Sequence, residues 1–481
     1  MNLFRRTKIV ATLGPSSDSL DILKKMIAAG INVVRLNFSH GSSKEHIKRA
    51  ERVRQAAQEM GQIVGVLADL QGPKIRIAKF KKGKVFLKEG DEFTLDASLP
   101  VNAGDKSAVG IDYKELPSDI KANDVLLLND GRIVLIVKQV DGPRIICQVT
   151  VGGELSDNKG INLQGGGLSA PALTDKDKQD LKTAVAMNVD YVAVSFVKSA
   201  ADINEAKKLI AAIDGDIGVI AKIERIEALV PDILDEIIRV SDGIMVARGD
   251  LAVEIGDEQV PAVQKRIIHR TVELNKPVIT ATQMLETMIH SVTPTRAEVS
   301  DVANAVLDNT DAVMLSAESA VGDYPDLVVR TMSKICLATE RDPLTKVSTY
   351  RVESFFKRVD EAISMATMYT ANHMSVKAII ALTESGATPL WMSRIRSDIP
   401  IFGLSRHSNT LGRMTLYRDV YPLYFDVTKL KTDNIQESTI AVLKEHHFVK
   451  EGDLVVITRG PKEGVPGGTN SMTIVEVGKF G

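Results

Sequence analysis

The feature that most restricts this chain is a repeat: short apolar segments, each followed by an amphipathic helix, running from Thr7 to about Arg341. Eight segments read as strands, at residues 8–13, 33–38, 64–70, 190–197, 219–224, 243–247, 277–282 and 312–315. Their apolar runs are dense, as expected of parallel strands covered on both faces. One helix begins near Ser43, carries Ile47, Ala50, Val53 and Ala57 on one face, and stops at Gly61. Another begins near Asp257, with Val260, Val263, Ile267 and Leu274. Eight such units in one chain fit a closed (β/α)8 barrel, a TIM barrel, better than an open sheet.

The repeat is interrupted once. Between about Pro73 and Gly167 the pattern changes to short β segments, with Asp130-Gly131 and Asp141-Gly142 as hairpin turns between runs at 125–128, 133–137 and 145–151. This predicts a small β-barrel lid inserted in a barrel loop. Gly72-Pro73 and Gly165-Gly166-Gly167 stand at its two junctions as hinges. Beyond the barrel, strands at 378–382, 401–404 and 454–458 alternate with helices at about 360–372, 389–396 and 432–446, a separate α/β unit. The expected division is 1–72 plus 168–342 for the barrel, 73–167 for the lid and 343–481 for the C-terminal domain.

Lysine and arginine total 60 against 62 acids, a net charge of -2, so no global basic field calls for nucleic acid or an anionic membrane. No apolar run approaches a membrane span, and the first residues lack a signal-peptide core. Cys147 and Cys336 lie far apart in apolar stretches and read as reduced core residues, pointing to a cytoplasmic protein.

Active sites of such barrels collect at the C-terminal ends of the strands. There this chain places Arg35, Asn37, Ser39 and His40; Asp69; Ser195; Lys222 and Glu224; Arg248, Gly249 and Asp250; Thr280 and Thr282; and Ser316 with Glu318. Lys222 and Glu224 are two apart on a strand and so point the same way, with Ile223 toward the helices. Charges facing a barrel interior need partners. Either they form a structural pair, or a lysine stands beside a metal-binding carboxylate, with Asp250 as the second acid. Two carboxylates plus substrate oxygens suit Mg²⁺ or Mn²⁺, and no zinc-type spacing is present. Gly249 allows backbone N–H groups to approach an anion, and Arg35 offers a planar fork for phosphate.

In order, Thr12-Leu-Gly-Pro15, Arg35-Leu-Asn-Phe-Ser-His-Gly41, Asp69-Leu-Gln-Gly-Pro73, Lys222-Ile-Glu224, Met245-Val-Ala-Arg-Gly-Asp250, Thr280-Ala-Thr-Gln-Met-Leu285, Pro294-Thr-Arg-Ala-Glu298 and Met314-Leu-Ser-Ala-Glu318 closely resemble the motifs of pyruvate kinases. The resemblance spans nearly the whole chain. It implies an enzyme that moves the phosphoryl group of phosphoenolpyruvate to ADP, giving pyruvate and ATP in the last step of glycolysis. It implies that Glu224 and Asp250 hold the divalent ion, and that Lys222 and Arg35 neutralise the phosphoryl group. The backbone of Gly249 and Asp250 would bind the substrate carboxylate, and Thr282 would help deliver a proton to the enolate. Ser195, Ser316 and Glu318 would support the site, and Pro15, Asn37, His40, Arg76 and Lys159 would lie on the nucleotide side. A homotetramer is implied as well.

One departure alters a cofactor. The family's potassium site uses Asn37, Ser39, Asp69 and the carbonyl at Leu70, and potassium-dependent members follow the aspartate with Thr-Lys-Gly-Pro-Glu. Here Leu70-Gln71-Gly72-Pro73-Lys74 replaces that acid with a lysine. An ammonium filling the site would repel free K⁺ and make it unnecessary. In the C-terminal domain, Thr383, Ser385, Gly386 and Thr388, with Arg459 and Lys462 in reach, resemble the family's allosteric phosphate cradle. Glu384 and Ala387 stand where relatives that take a bisphosphate carry a base, which favours a monophosphorylated sugar or AMP. Two rivals fit less well. A magnesium-dependent barrel lyase or mutase acting on a pyruvate enolate would not need the lid. A non-catalytic metabolite sensor would be expected to lose Lys222, Glu224 or Thr282.

Overall fold

A computed structural model describes residues 4–346, 355–429, 434–461 and 467–479. The eight strands Lys8–Thr12, Val33–Asn37, Gly65–Asp69, Tyr191–Val194, Gly218–Ile223, Gly243–Ala247, Val278–Ala281 and Ala312–Leu315 close into one parallel barrel. Each pairs with the next in chain order, and the last returns to the first, with Lys8 opposite Ala312. Side chains alternate with period two. Val10, Val33, Leu67, Tyr191, Ala193, Ile220 and Met245 belong to the inner core. Ile9, Val34, Val66, Val192, Val219, Ile223 and Val246 pack outward under the helices.

The lid region carries a six-stranded mixed sheet and a two-stranded antiparallel one around a core of its own. Its hairpins use the expected runs, Val125–Leu128, Ile133–Asp141 and Arg144–Val151. The second turn is shifted by one residue: Asp141 pairs with Arg144, so Gly142-Pro143 makes the bend. Cys147 lies in this core and Cys336 in the outer barrel core, both free and buried.

The C-terminal sheet has five strands, ordered Val420–Tyr424, Ile401–Ser405, Val376–Leu382, Leu454–Arg459 and Ser471–Glu476. The two outer strands and the helix Ser408–Met414 are additions to the sequence reading. Pro422 obscures the first; it is tolerated because that strand pairs on one side alone. The other is antiparallel and mostly unburied, so it lacks the dense apolar signature. The helix expected at 389–396 runs Ala387–Met392, and the last one Ile435–Glu445.

This unit seals the N-terminal mouth of the barrel. The Tyr191 hydroxyl donates to the Arg413 carbonyl at 2.8 Å and the Lys8 ammonium to the Val420 carbonyl at 2.6 Å. Arg394, beyond its helix, forms an ion pair with Asp311 in which both side chains are fully buried. The opposite mouth is left for chemistry. Among the described residues, no helix is long and apolar enough to cross a membrane.

Candidate active site at the barrel mouth

Period two on the fifth strand points Lys222 inward, and three partners meet it. Its ammonium donates to Ser195 Oγ at 2.8 Å and lies 2.9 Å from Glu224 and 3.3 Å from Asp69. Burial works against the charge, but Asp69 and then Glu224 outweigh it, so the ammonium is held above its ordinary value and stays protonated. Arg35, from the second strand, grips Asp69 with two nitrogens at 2.6 Å and donates to Thr12 Oγ1 at 3.0 Å. Burial pushes the Asp69 carboxyl up, but Lys222 and Arg35 overcome it and hold the acid below its usual range. Two cations thus converge on one strand-end carboxylate.

Glu224 is 1% exposed. One of its oxygens accepts the Phe196 N–H at 2.7 Å, an arrangement that requires Phe196 in a left-handed conformation at φ 55°. Its carboxyl is pushed up, first by burial; Lys222 pulls it back in part, and the Asp250 carboxylate adds to the rise. Glu224 and Asp250 offer carboxylate oxygens of the kind Mg²⁺ or Mn²⁺ takes, and a divalent cation there would compete with the ammoniums that now face them, Lys222 at 2.9 Å and Lys74 at 3.1 Å.

The sixth strand leads straight into a helix at Arg248–Ile255 that the sequence reading did not foresee, and the expected helix follows it, through a short 3-10 turn at Asp257–Gln259, as Val260–Glu273. Gly249 and Asp250 therefore occupy its first turn, where N–H groups lack intrahelical partners. The Gly249 N–H donates to Thr282 Oγ1 at 3.0 Å. Thr282 and Gln283 have φ of 68° and 53°. For a β-branched residue this costs on the order of 1–3 kcal/mol and needs support from its surroundings. Ser316 Oγ, at the eighth strand's end, is buried without a hydrogen-bond partner. Its N–H donates to Glu318 at 2.6 Å.

For the monovalent-ion reading, the recorded ion pair of the Lys74 ammonium is with Asp250, at 3.1 Å, rather than with Asp69. Asp69 is taken by Arg35 and Lys222, the Leu70 carbonyl accepts Ser195 Oγ at 2.7 Å, and Asn37 Oδ1 accepts the Ser39 N–H at 3.1 Å. The cause is the bend at Gly72, φ 66°, which packs against Ser195 and Phe196 and carries Lys74 toward the sixth strand.

Of the residues expected on the nucleotide side, Pro15 is exposed at the start of a short 3-10 turn, and the exposed His40 has its carbonyl 2.9 Å from His46 Nε2. Arg76 donates to the Asn158 carbonyl at 2.9 Å, and Lys159 lines a lid concavity with Arg132 and Ser156. In the C-terminal domain, Thr383, Ser385, Thr388 and Arg459 line one pocket, and Gly386, φ 80°, turns the chain into the helix behind it. Lys462 lies outside the described residues. The sequence reading missed Arg406, which faces the same pocket and reaches Glu384 at 3.3 Å. It also missed Glu227, which ties the Gly167 hinge N–H at 2.7 Å. Neither has a sequence signal apart from its neighbours in space.

A barrel whose mouth gathers a lysine, an arginine and two metal-competent acids beneath an inserted lid is the architecture of a phosphoryl-transferring enzyme. Residues 4–329 match the family model for the pyruvate kinase barrel domain, and residues 361–475 that for the pyruvate kinase alpha/beta domain. The chain is 52% identical over 477 residues to pyruvate kinase II of Salmonella typhimurium, covering 98% of this chain and 99% of that one. It is 53% identical over 458 residues to a pyruvate kinase of Haemophilus influenzae, covering 95% and 96%. A pyruvate kinase of Buchnera aphidicola is 50% identical over 479 residues, with 99% and 100% covered. The chain belongs to the pyruvate kinase family, and its activity is that family's phosphotransfer.

Proposed function

We propose that this enzyme transfers the phosphoryl group of phosphoenolpyruvate to ADP at the barrel mouth, with Lys222 as the central group. The observation that carries the reading is the Lys222 ammonium held among Ser195, Glu224 and Asp69. In the reaction the bond from phosphorus to the enol oxygen breaks and a bond to the ADP terminal phosphate oxygen forms. The enolate then takes one proton at its methylene carbon to give pyruvate. Lys222 and Arg35 meet the charge on the phosphoryl oxygens from fixed positions, so little reorganisation is needed as it moves. The backbone of Gly249 and Asp250, in the first turn of their helix, orients the substrate carboxylate, and Thr282, which accepts the Gly249 N–H, holds the protonating group. Glu224 and Asp250 would hold a divalent ion, Mg²⁺ or Mn²⁺, which would supply positive charge to the anionic substrate. Pro15, Asn37, His40, Arg76 and Lys159 contact the nucleotide when the lid, residues 73–167, closes and excludes water.

Further readings belong with this one. Turnover needs no K⁺, because Lys74 already brings an ammonium to the acidic end of the site, 3.1 Å from Asp250. The C-terminal pocket binds a phosphorylated activator of the monophosphate class, because Glu384 engages Arg406 in the same pocket and leaves that cation less free for a second phosphate. The enzyme works in the cytoplasm as a homotetramer. The test is pyruvate formation with ADP varied, then with a panel of sugar monophosphates, AMP and a sugar bisphosphate at sub-saturating phosphoenolpyruvate. Pyruvate released at the same rate without ADP would point to a lyase and end the proposal.

A further inference from the structure

Arg248 stands in the motif between the sixth strand and Asp250, and the reaction as described makes no use of it. It is 8% exposed, and all three guanidinium nitrogens are engaged. Nε donates to the Ala281 carbonyl at 3.1 Å and Nη2 to the Thr282 carbonyl at 2.6 Å. Nη1 turns the other way, to Asp301 at 2.7 Å and Gln264 at 3.3 Å. Ala281 ends the seventh strand, and the next two residues are left-handed. The guanidinium fork spans the carbonyls of residues 281 and 282. Held so, the Thr282 hydroxyl donates to the Ala281 carbonyl at 2.7 Å and accepts the Gly249 N–H at 3.0 Å, facing the helix turn that carries Asp250.

We infer that Arg248, with Asp301 as its counter-ion, is a positioning residue that fixes the Thr282 hydroxyl for protonation of the enolate. The inference rests on the role given above to Thr282. A planar fork can hold two carbonyls and a carboxylate at once, whereas the point charge of a lysine cannot, so Arg248→Lys keeps the charge and loses the alignment. Misplacing a reacting group by about 1 Å costs on the order of a hundredfold. Arg248 touches neither Lys222 nor Arg35 in any recorded contact, and it reaches the Gly249 N–H only through the Thr282 hydroxyl, so the loss falls mainly on proton delivery.

The test compares parent, Arg248→Lys, Asp301→Asn, Thr282→Ala and the Arg248→Lys/Thr282→Ala double variant. The readouts are deuterium entry into the pyruvate methyl group in D2O with ATP and Mg²⁺, followed by NMR, KM for phosphoenolpyruvate, and thermal stability. Arg248→Lys is expected to slow methyl exchange by roughly ten- to a hundredfold with KM within about twofold. Asp301→Asn, on the partly exposed partner, is expected to move it the same way by less. In the Thr282→Ala background the arginine change should add almost nothing, which general loosening of the fold would not reproduce. Equal factors in both backgrounds, or undiminished exchange in Arg248→Lys and Asp301→Asn, would overturn the positioning role while leaving Thr282 in place. Undiminished exchange in Thr282→Ala would remove the role of Thr282, and the inference with it.

Discussion

Replacing Lys222 by methionine removes one charge at nearly constant volume, and its consequences can be worked from the contacts. At an effective dielectric of about 20, the pairs at 2.9 Å to Glu224 and 3.3 Å to Asp69 are worth about 6 and about 5 kcal/mol of attraction before desolvation. That attraction exceeds the burial penalty, since the ammonium is held above its ordinary value. In Lys222→Met, Asp69 keeps both Arg35 nitrogens. Glu224, buried beside Asp250, loses its cation and takes up a proton more readily. Removing one partner of a buried pair costs about 3–5 kcal/mol, and the retained Arg35 places this case at the lower end, about 3 kcal/mol of stability. The kinetic effect is larger. Loss of a preorganised donor to a transition state costs on the order of a hundred- to a thousandfold in kcat, and a full charge at the moving phosphoryl group should exceed that. Turnover is measured by coupled pyruvate formation, and phosphoenolpyruvate binding by calorimetry. Binding should persist while turnover collapses. Near-normal turnover in the folded variant would refute the reasoning, because no other recorded group brings an ammonium between Asp69 and Glu224.

Three other outcomes are expected. In tetramethylammonium buffer the rate should be unchanged by added KCl, whereas Lys74→Glu should become K⁺-activated; strong activation of the parent chain would rule out the reading of Lys74. Arg394→Met leaves Asp311 buried with backbone donors from Val278 and Arg418 but without its ion-pair partner, and should lower stability by about 3 kcal/mol in chemical denaturation; a change below about 1 kcal/mol would contradict the energetic role given to that pair. Burial pushes the Glu254 carboxyl up to about 7 from 4.5. The folded chain therefore holds this proton where the unfolded chain has released it. The stabilisation is complete below pH about 4.5 and lost as pH rises through about 7. Glu254→Gln should flatten the decline in melting temperature between pH 5 and 8, and gain up to about 3 kcal/mol over the parent above pH 7; an unaltered slope would show that Glu254 titrates normally.

Local periodicity determined much of this protein. All eight barrel strands were legible within a few residues, because burial on both faces demands unbroken apolar runs. The same period of two put Lys222 and Glu224 on one side and Ile223 on the other, and the ordered motifs named the family. Tertiary structure alone decided which charges meet. Lys74 reaches Asp250 because Gly72 bends the chain, and Arg248 finds Asp301 across 53 positions. Arg394 is buried against Asp311 because the C-terminal unit plugs the barrel floor. Edge strands with Pro422 or with open faces escaped notice for a related reason: one-sided pairing relaxes the very constraint that makes a strand readable. Sequence pattern reports what a residue's own element requires of it. An ion pair depends on two elements arriving together, and no periodicity along one of them carries that information.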